Sequence, residues 1–102
     1  MNTDELITHS RARFDHAAAR RVLKEKYQAK MTFAYAGGLW QAGPELLRLL
    51  AVCPDRSSAV ILDLYETPIQ INVDELELAA AQRWQEQMNA WLVEYEEINK
   101  NR

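Results

Sequence analysis

The side chains most suited to metal binding or nucleophilic catalysis are two histidines and one cysteine. His9 and His16 are seven residues apart in a stretch that predicts a helix, so they share a face but lie about 10 Å apart along the axis. That distance is too long for one metal ion, and no third ligand stands at a metal-binding spacing. Cys53 would need a base beside it to act as a nucleophile, and it follows a leucine-rich segment, where a free cysteine is usually a small buried side chain. We therefore expect surface or capping histidines, a structural cysteine, and no metal or cofactor.

The pair Gly37-Gly38 is the nearest approach to a phosphate-binding loop. It lacks the glycine spacing and the following Lys-Ser/Thr of a P-loop, and no helix is predicted to start there. A tight turn that needs positive φ explains the pair fully.

Carboxylates gather at both ends of the last predicted helix. They are Asp74, Glu75, Glu77, Glu94, Glu96 and Glu97. The first three point around a helix in different directions and suit the positive end of its dipole, whereas the last three predict a solvated face or an interaction end. The chain also lacks a Ser/His/Asp or Cys/His set, an HExxH motif and an EF-hand loop. We expect a protein that is not an enzyme and has no small-molecule substrate.

The charge distribution is strongly asymmetric although the 102-residue chain has a net charge of only −3. Residues 11–30 hold seven basic and two acidic side chains, whereas residues 63–97 hold nine acidic side chains and one arginine. A basic beginning and an acidic end can attract each other within one chain or between chains.

The basic segment is one candidate for binding. Arg13, Arg20, Arg21 and Lys24 could follow a phosphate backbone or meet an acidic partner. Against nucleic acid stand the acidic net charge and the absence of an aromatic platform. We keep nucleic acid as the alternative to a protein partner.

The elements that carry these residues form one α+β domain over residues 1–102. A basic helix over 3–29, within a segment 1–30, precedes two ββα units at 31–53 and 60–102. The order α-ββα-ββα predicts two hairpin–helix units that form a small antiparallel sheet with helices packed on it. We expect one sheet of four strands, and the sequence leaves open whether the two units pair their sheets or face apart. On the first helix the predicted apolar stripe includes Val22, widened by Leu23 and Tyr27. The leucine-rich helix after Pro44 is predicted to be buried.

The longest predicted helix spans Asn72–Ile98 and is the second candidate for binding. Apolar residues recur along it at steps of three and four, Asn72 is a good N-cap, and Glu75 completes a capping box. A helix this long predicts last turns that extend past the core. Its aromatic and methionine face, which we call the tryptophan face, comprises Trp84, Met88, Trp91 and Tyr95. Either the first helix covers this face, or the face is a protein interface.

The string Tyr35-Ala36-Gly37-Gly38-Leu39-Trp40, with Gly43-Pro44-Glu45 and the later Trp84-Gln85, resembles small uncharacterised accessory proteins of tailed bacteriophages. The resemblance implies a phage accessory or assembly protein and carries no catalytic residues.

These patterns together predict a non-enzymatic interaction or assembly protein that binds itself or another protein. One cysteine, the absence of a predicted secretory signal and the absence of a membrane-length apolar run favour a cytoplasmic location, in the host cytoplasm or in the virion if the chain is phage-encoded.

Overall fold

The computed structural model describes the backbone of residues 3–100 and the side chains of residues 15–100. The elements are α1 Thr3–Lys30, β1 Thr32–Tyr35, β2 Gly38–Gln41, α2 Pro44–Ala51, β3 Ala59–Leu62, β4 Pro68–Ile71 and α3 Val73–Lys100. The predicted α+β class and the order α-ββα-ββα are confirmed. The side chains of His9, Arg13 and Phe14 lie outside the described residues.

The four strands form two separate two-stranded antiparallel sheets, so the prediction of a single sheet is wrong. In the first hairpin, Ala36 and Gly37 have φ of 52° and 80° and make the two-residue turn expected of a tight hairpin. The two sheets do not join because the turn of the second hairpin lies against β2. There the N–H of Leu64 donates to the carbonyl of Leu39 at 2.9 Å.

The main core lies between the two hairpins, α2 and the first half of α3. Its buried members are Met31, Phe33, Trp40, Ala42, Leu50, Ile61, Ile71, Val73, Leu76 and Ala80. Trp40 can be buried because its indole N–H donates to the carbonyl of Tyr35 at 2.9 Å. The apolar side chains of both hairpins therefore turn toward one common cluster.

The buried side of α1 differs from the predicted stripe. Among residues 15–30 of α1, Leu23 and Tyr27 are the buried residues, at 5% and 2% exposure, whereas Val22 is 63% exposed. The reason is that α1 packs on α3, and the contact centres on Tyr27. Leu23 and Tyr27 are not members of the main core cluster.

Helix α2 is less buried than predicted. Leu50 is fully buried, Leu46 and Leu47 are half-buried, and Leu49 and Val52 are exposed. A helix of eight residues that rests on the core through one side leaves the leucines of its other side in solvent.

Helix α3 begins at the predicted cap residue, but the reciprocal hydrogen bond of the predicted capping box does not form. The side chain of Asn72 accepts a hydrogen bond from the N–H of Glu75 at 3.0 Å, which confirms the cap. The carboxylate of Glu75 accepts from the hydroxyl of Tyr35 at 2.6 Å, so it ties the helix start to β1. With 28 residues, α3 is about 42 Å long.

The molecule is elongated, with principal extents of 66 × 24 × 21 Å. Its radius of gyration of 19.5 Å compares with about 13 Å for a compact domain of this length. The last turns of α3 therefore extend past the core, as predicted.

Candidate functional site

The long helices meet beyond the main core in a two-helix arm, which we define as residues 15–30 of α1 and 88–100 of α3. Its centre is the stacked pair of Tyr27 and Trp91, with ring centroids 6.0 Å apart and ring planes 7° from parallel. Both the hydroxyl of Tyr27 and the ammonium of Lys26 donate to the same oxygen of Glu94, at 2.6 Å and 2.7 Å. An aromatic stack and a shared carboxylate thus fix the register of α1 on α3.

These hydrogen bonds shift the pKa of all three groups. The bond from Lys26 lowers the pKa of Glu94 below its ordinary value, and the bond from Tyr27 lowers it further. Their bonds to Glu94 raise the pKa of Lys26 and the pKa of Tyr27. Near neutral pH the cluster therefore holds one carboxylate, one ammonium and one neutral phenol.

The basic residues of α1 divide into two groups. Lys26 is paired with Glu94, so the basic helix meets the acidic end of α3 within one chain. Arg20, Arg21 and Lys24 are exposed, and none of them forms an ion pair with another side chain of residues 15–100. Three predicted contact residues are therefore exposed and unpaired within residues 15–100, and Arg13 lies outside the described side chains.

The four members of the tryptophan face follow α3 from the core into the arm, and each is half-buried. Trp84 and Met88 pack against the main core, and Trp91 packs on Tyr27. The first interpretation of the sequence, in which the chain itself covers the face, therefore holds for part of it. The chain covers one flank of it, and the other flank lines open grooves.

The first groove lies where the arm joins the core. It has a volume of about 420 Å³ and runs between the end of α1, the β2–α2 turn and α3. Trp84, Met88 and Trp91 form its apolar wall, and Gln28 and Glu45 are among its polar residues. An apolar wall with a polar rim is the usual composition of a protein-binding surface.

The second groove lies on α3 itself and has a volume of about 240 Å³. Met88, Trp91, Leu92 and Tyr95 line it, at spacings that place all four on one side of the helix. Leu92 is 55% exposed, although it sits between aromatic side chains. Leu92 is not among the contact residues predicted from the sequence.

Two buried polar atoms of α1 and α3 have no hydrogen-bond partner among the described residues. They are Nε2 of His16 and Oδ1 of Asn99. A buried polar atom without a hydrogen bond lowers the stability of the fold, and native structures rarely contain one without a reason. His16 is half-buried, so the predicted surface or capping role does not describe it fully.

Two residues that sequence reasoning did not single out hold the core elements together. Arg56 donates to the carboxylates of Asp74 and Glu77, at 2.9 Å and 2.8 Å, and to the carbonyl of Leu50 at 2.8 Å. Asp63 accepts backbone hydrogen bonds that shape the second hairpin turn. The sequence separations are too long for helix or turn patterns to reveal the contacts of Arg56.

The other candidates for chemistry have ordinary surroundings. Cys53 is a free, half-buried thiol that donates to the carbonyl of Leu49 at 3.4 Å and packs against the core. Among the described residues, no three His, Cys, Asp or Glu side chains come together as metal ligands. No helix in the described part of the chain is long and apolar enough to cross a bilayer.

Comparisons with protein families, with curated proteins and with solved structures find no match to this chain.

Proposed function

We propose that this chain is a non-enzymatic interaction protein. It binds itself or another protein through the tryptophan face. The observation that carries the proposal is the pair of adjoining grooves along α3. Met88 and Trp91 line both grooves, so the two form one continuous apolar surface. Solvent-exposed apolar surfaces of this kind, rich in tryptophan, tyrosine and methionine, mark protein-binding sites.

The exposed basic residues Arg20 and Lys24 support the same surface. They lie eight and four residues before Gln28, which lines the first groove, so they continue its rim along α1.

The experiment compares Trp91→Ala with Tyr65→Ala, which removes an exposed aromatic side chain in the β3–β4 turn. Each variant is tested for molar mass by light scattering and for capture of partner proteins from the cells in which the chain is made. We expect Trp91→Ala to lose most assembly while circular dichroism shows a largely helical chain, and Tyr65→Ala to assemble normally. Unfolding of Trp91→Ala without a separable assembly defect would make Trp91 a core residue and end the proposal.

The alternative is a nucleic-acid-associated regulator that binds through α1, which is favoured by the exposure of Arg20, Arg21 and Lys24. Phosphate contacts must show first at low salt, so the test is filter binding of DNA and RNA at low ionic strength. The double variant Arg20→Gln/Lys24→Gln should then bind at least tenfold more weakly, with Arg48→Gln on α2 as control. No retention of either nucleic acid at low salt removes this alternative.

The resemblance to phage accessory proteins extends the proposal to a phage assembly, in the host cytoplasm or in the virion. Mass spectrometry of purified particles of the encoding phage, compared with the host fraction, is the direct test. Recovery of the chain in neither fraction of infected cells would remove the phage setting without affecting the tryptophan face.

A further inference from the structure

We propose that the partner of the tryptophan face is a second copy of this chain, bound antiparallel along α3. This inference rests on the proposed function, because it uses the same surface and names its occupant. The contact is made by the four residues of the second groove, Met88, Trp91, Leu92 and Tyr95, which we call the α3 strip.

The spacing of the α3 strip is self-complementary. Its members follow one another at intervals of three, one and three residues, so the strip reads the same in both directions. A two-fold axis between positions 91 and 92 places Met88 opposite the partner's Tyr95, and Trp91 opposite the partner's Leu92. A two-fold dimer requires such a patch, since the same surface must serve both subunits.

The charges around the α3 strip allow two copies to approach. Between positions 88 and 95 the only carboxylate is Glu94, and Lys26 of the same chain already neutralises it. Contact through the strip therefore buries no unpaired charge from this segment.

The surface area of the chain fits a dimer. The accessible surface is 7381 Å², about 1,500 Å² more than the roughly 5,900 Å² expected for a compact monomer of 11.8 kDa. A standard protein interface removes about 800 Å² from each partner. The excess that comes from the elongated shape is therefore large enough to supply one such contact.

The first test is molar mass by light scattering on a sizing column, at low salt and at 1 M salt. We expect twice the mass of the 11.8 kDa chain under both conditions, because an apolar contact is not screened. A monomer under both conditions overturns the inference. If such a monomer still captures another protein through Trp91, the proposed function stands and only its partner changes. A dimer that dissociates in salt also overturns the inference and assigns the contact to α1 and the acidic residues of α3.

The matched variants are Leu92→Glu and Val93→Glu. Both side chains are exposed in the single chain, at 55% and 62%, so neither substitution should disturb the fold. Only Leu92 lies in the strip. We expect Leu92→Glu to weaken dimerisation at least a hundredfold and Val93→Glu to change it less than threefold. Equal effects of the two variants, or none, would place the contact elsewhere.

The orientation is tested with single cysteines in a Cys53→Ser background. In the antiparallel arrangement, two copies of Met88→Cys lie too far apart for a disulfide, because each is more than three residues from the axis. A mixture of Met88→Cys and Tyr95→Cys chains should oxidise to the mixed dimer. Homodimers of Met88→Cys as the main product would show a parallel arrangement and overturn the proposed one.

Discussion

The side-chain oxygen Oδ2 of Asp63 accepts a hydrogen bond from the backbone N–H of Leu39, 3.1 Å away, and so joins the two hairpins. The second oxygen, Oδ1, accepts from the N–H groups of Tyr65 and Thr67, at 2.9 Å and 3.0 Å. One carboxylate thus shapes its own turn and holds the neighbouring strand. The backbone N–H groups of this turn and of β2 thus donate to an ionised carboxylate. Such a hydrogen bond is stronger than one to a neutral acceptor.

We predict that Asp63 makes the stability of the fold depend on pH in the acid range. Hydrogen bonds from backbone N–H groups, led by that of Thr67, lower the pKa of Asp63 below its ordinary value of 3.8. The folded state therefore binds the proton less readily than the unfolded chain. The contribution of the Asp63 carboxylate to the stability of the fold is complete at pH values above 3.8. It is lost as the pH falls through the lowered pKa.

Urea unfolding between pH 2 and pH 7 measures this effect through Asp63→Asn. The variant should be less stable at pH 7 and should lose less stability on acidification, because its amide cannot be titrated. Glu86→Gln, an exposed residue of α3, is the control and should retain the full acid dependence. A parallel loss of stability in Asp63→Asn and the unmodified chain would contradict the role assigned to this carboxylate.

Two adjacent glycines should respond differently to substitution. A Cβ on Gly38 would overlap Cδ1 of Ile69, which can rotate away, and would crowd the buried ring of Trp40, which has less room to move, so Gly38→Ala should lower the free energy of unfolding by about 1 kcal/mol. At Gly37 a Cβ meets no atom within 4 Å, but φ is +80°, so Gly37→Asn should cost less than Gly37→Ala. Thermal and urea unfolding of the three variants checks the order. A harmless Gly38→Ala would mean that the two hairpins are not packed as closely as described.

Regular patterns in the sequence were sufficient for the elements, and the charge asymmetry indicated that α1 could meet the end of α3. The contacts between the two hairpins were not predicted. Helix α3 was predicted to within two residues at each end because its apolar spacing and Asn72 agree. The single sheet was wrong because the edge of β2 is covered by a turn at Asp63 and Leu64, and a turn has no periodic signal.

The buried side of α1 shows a second limit. A series with Val22 and a series with Leu23 and Tyr27 both fit helical spacing, so periodicity alone could not select between them. The choice is made by Trp91, which lies 64 residues after Tyr27 in the sequence. The tryptophan face was visible as a pattern, but only the fold shows which flank is covered and that Leu92 belongs to the open one.

The guanidinium of Arg56 should hold the beginning of α3 against the end of α2. It contacts the carbonyl of Leu50 and two carboxylates in the first turns of α3, and the hydrogen bonds to Glu77 and Asp74 raise its pKa. We predict that Arg56→Ala increases amide hydrogen exchange severalfold in the first two turns of α3. Arg56→Lys should not restore protection, since one ammonium cannot reproduce a planar fork with three partners. Unchanged exchange in Arg56→Ala, measured beside Arg48→Ala on α2, would contradict this role.

The arm and the main core should differ in how a lost side chain affects them. Leu76 is fully buried within the main core, so Leu76→Ala should lower the free energy of unfolding by about 2–5 kcal/mol for the whole chain. Leu23 is almost as buried but packs outside that cluster, in the arm, where Tyr27 is the other buried side chain among the described residues. Leu23→Ala should therefore open the arm locally, because stability is not uniform across a structure.

Hydrogen exchange and urea unfolding of the two variants separate these outcomes. In Leu23→Ala we expect faster exchange in residues 15–30 and 88–100, with unchanged protection in the two hairpins. Leu76→Ala should raise exchange in every element, and Leu78→Ala, an exposed position on the same helix, should leave it unchanged. Uniform loss of protection in Leu23→Ala would mean that the arm and the core unfold as one unit. The Tyr27–Trp91 stack would then belong to the structural core of the chain, and a substitution at Trp91 could not test binding alone.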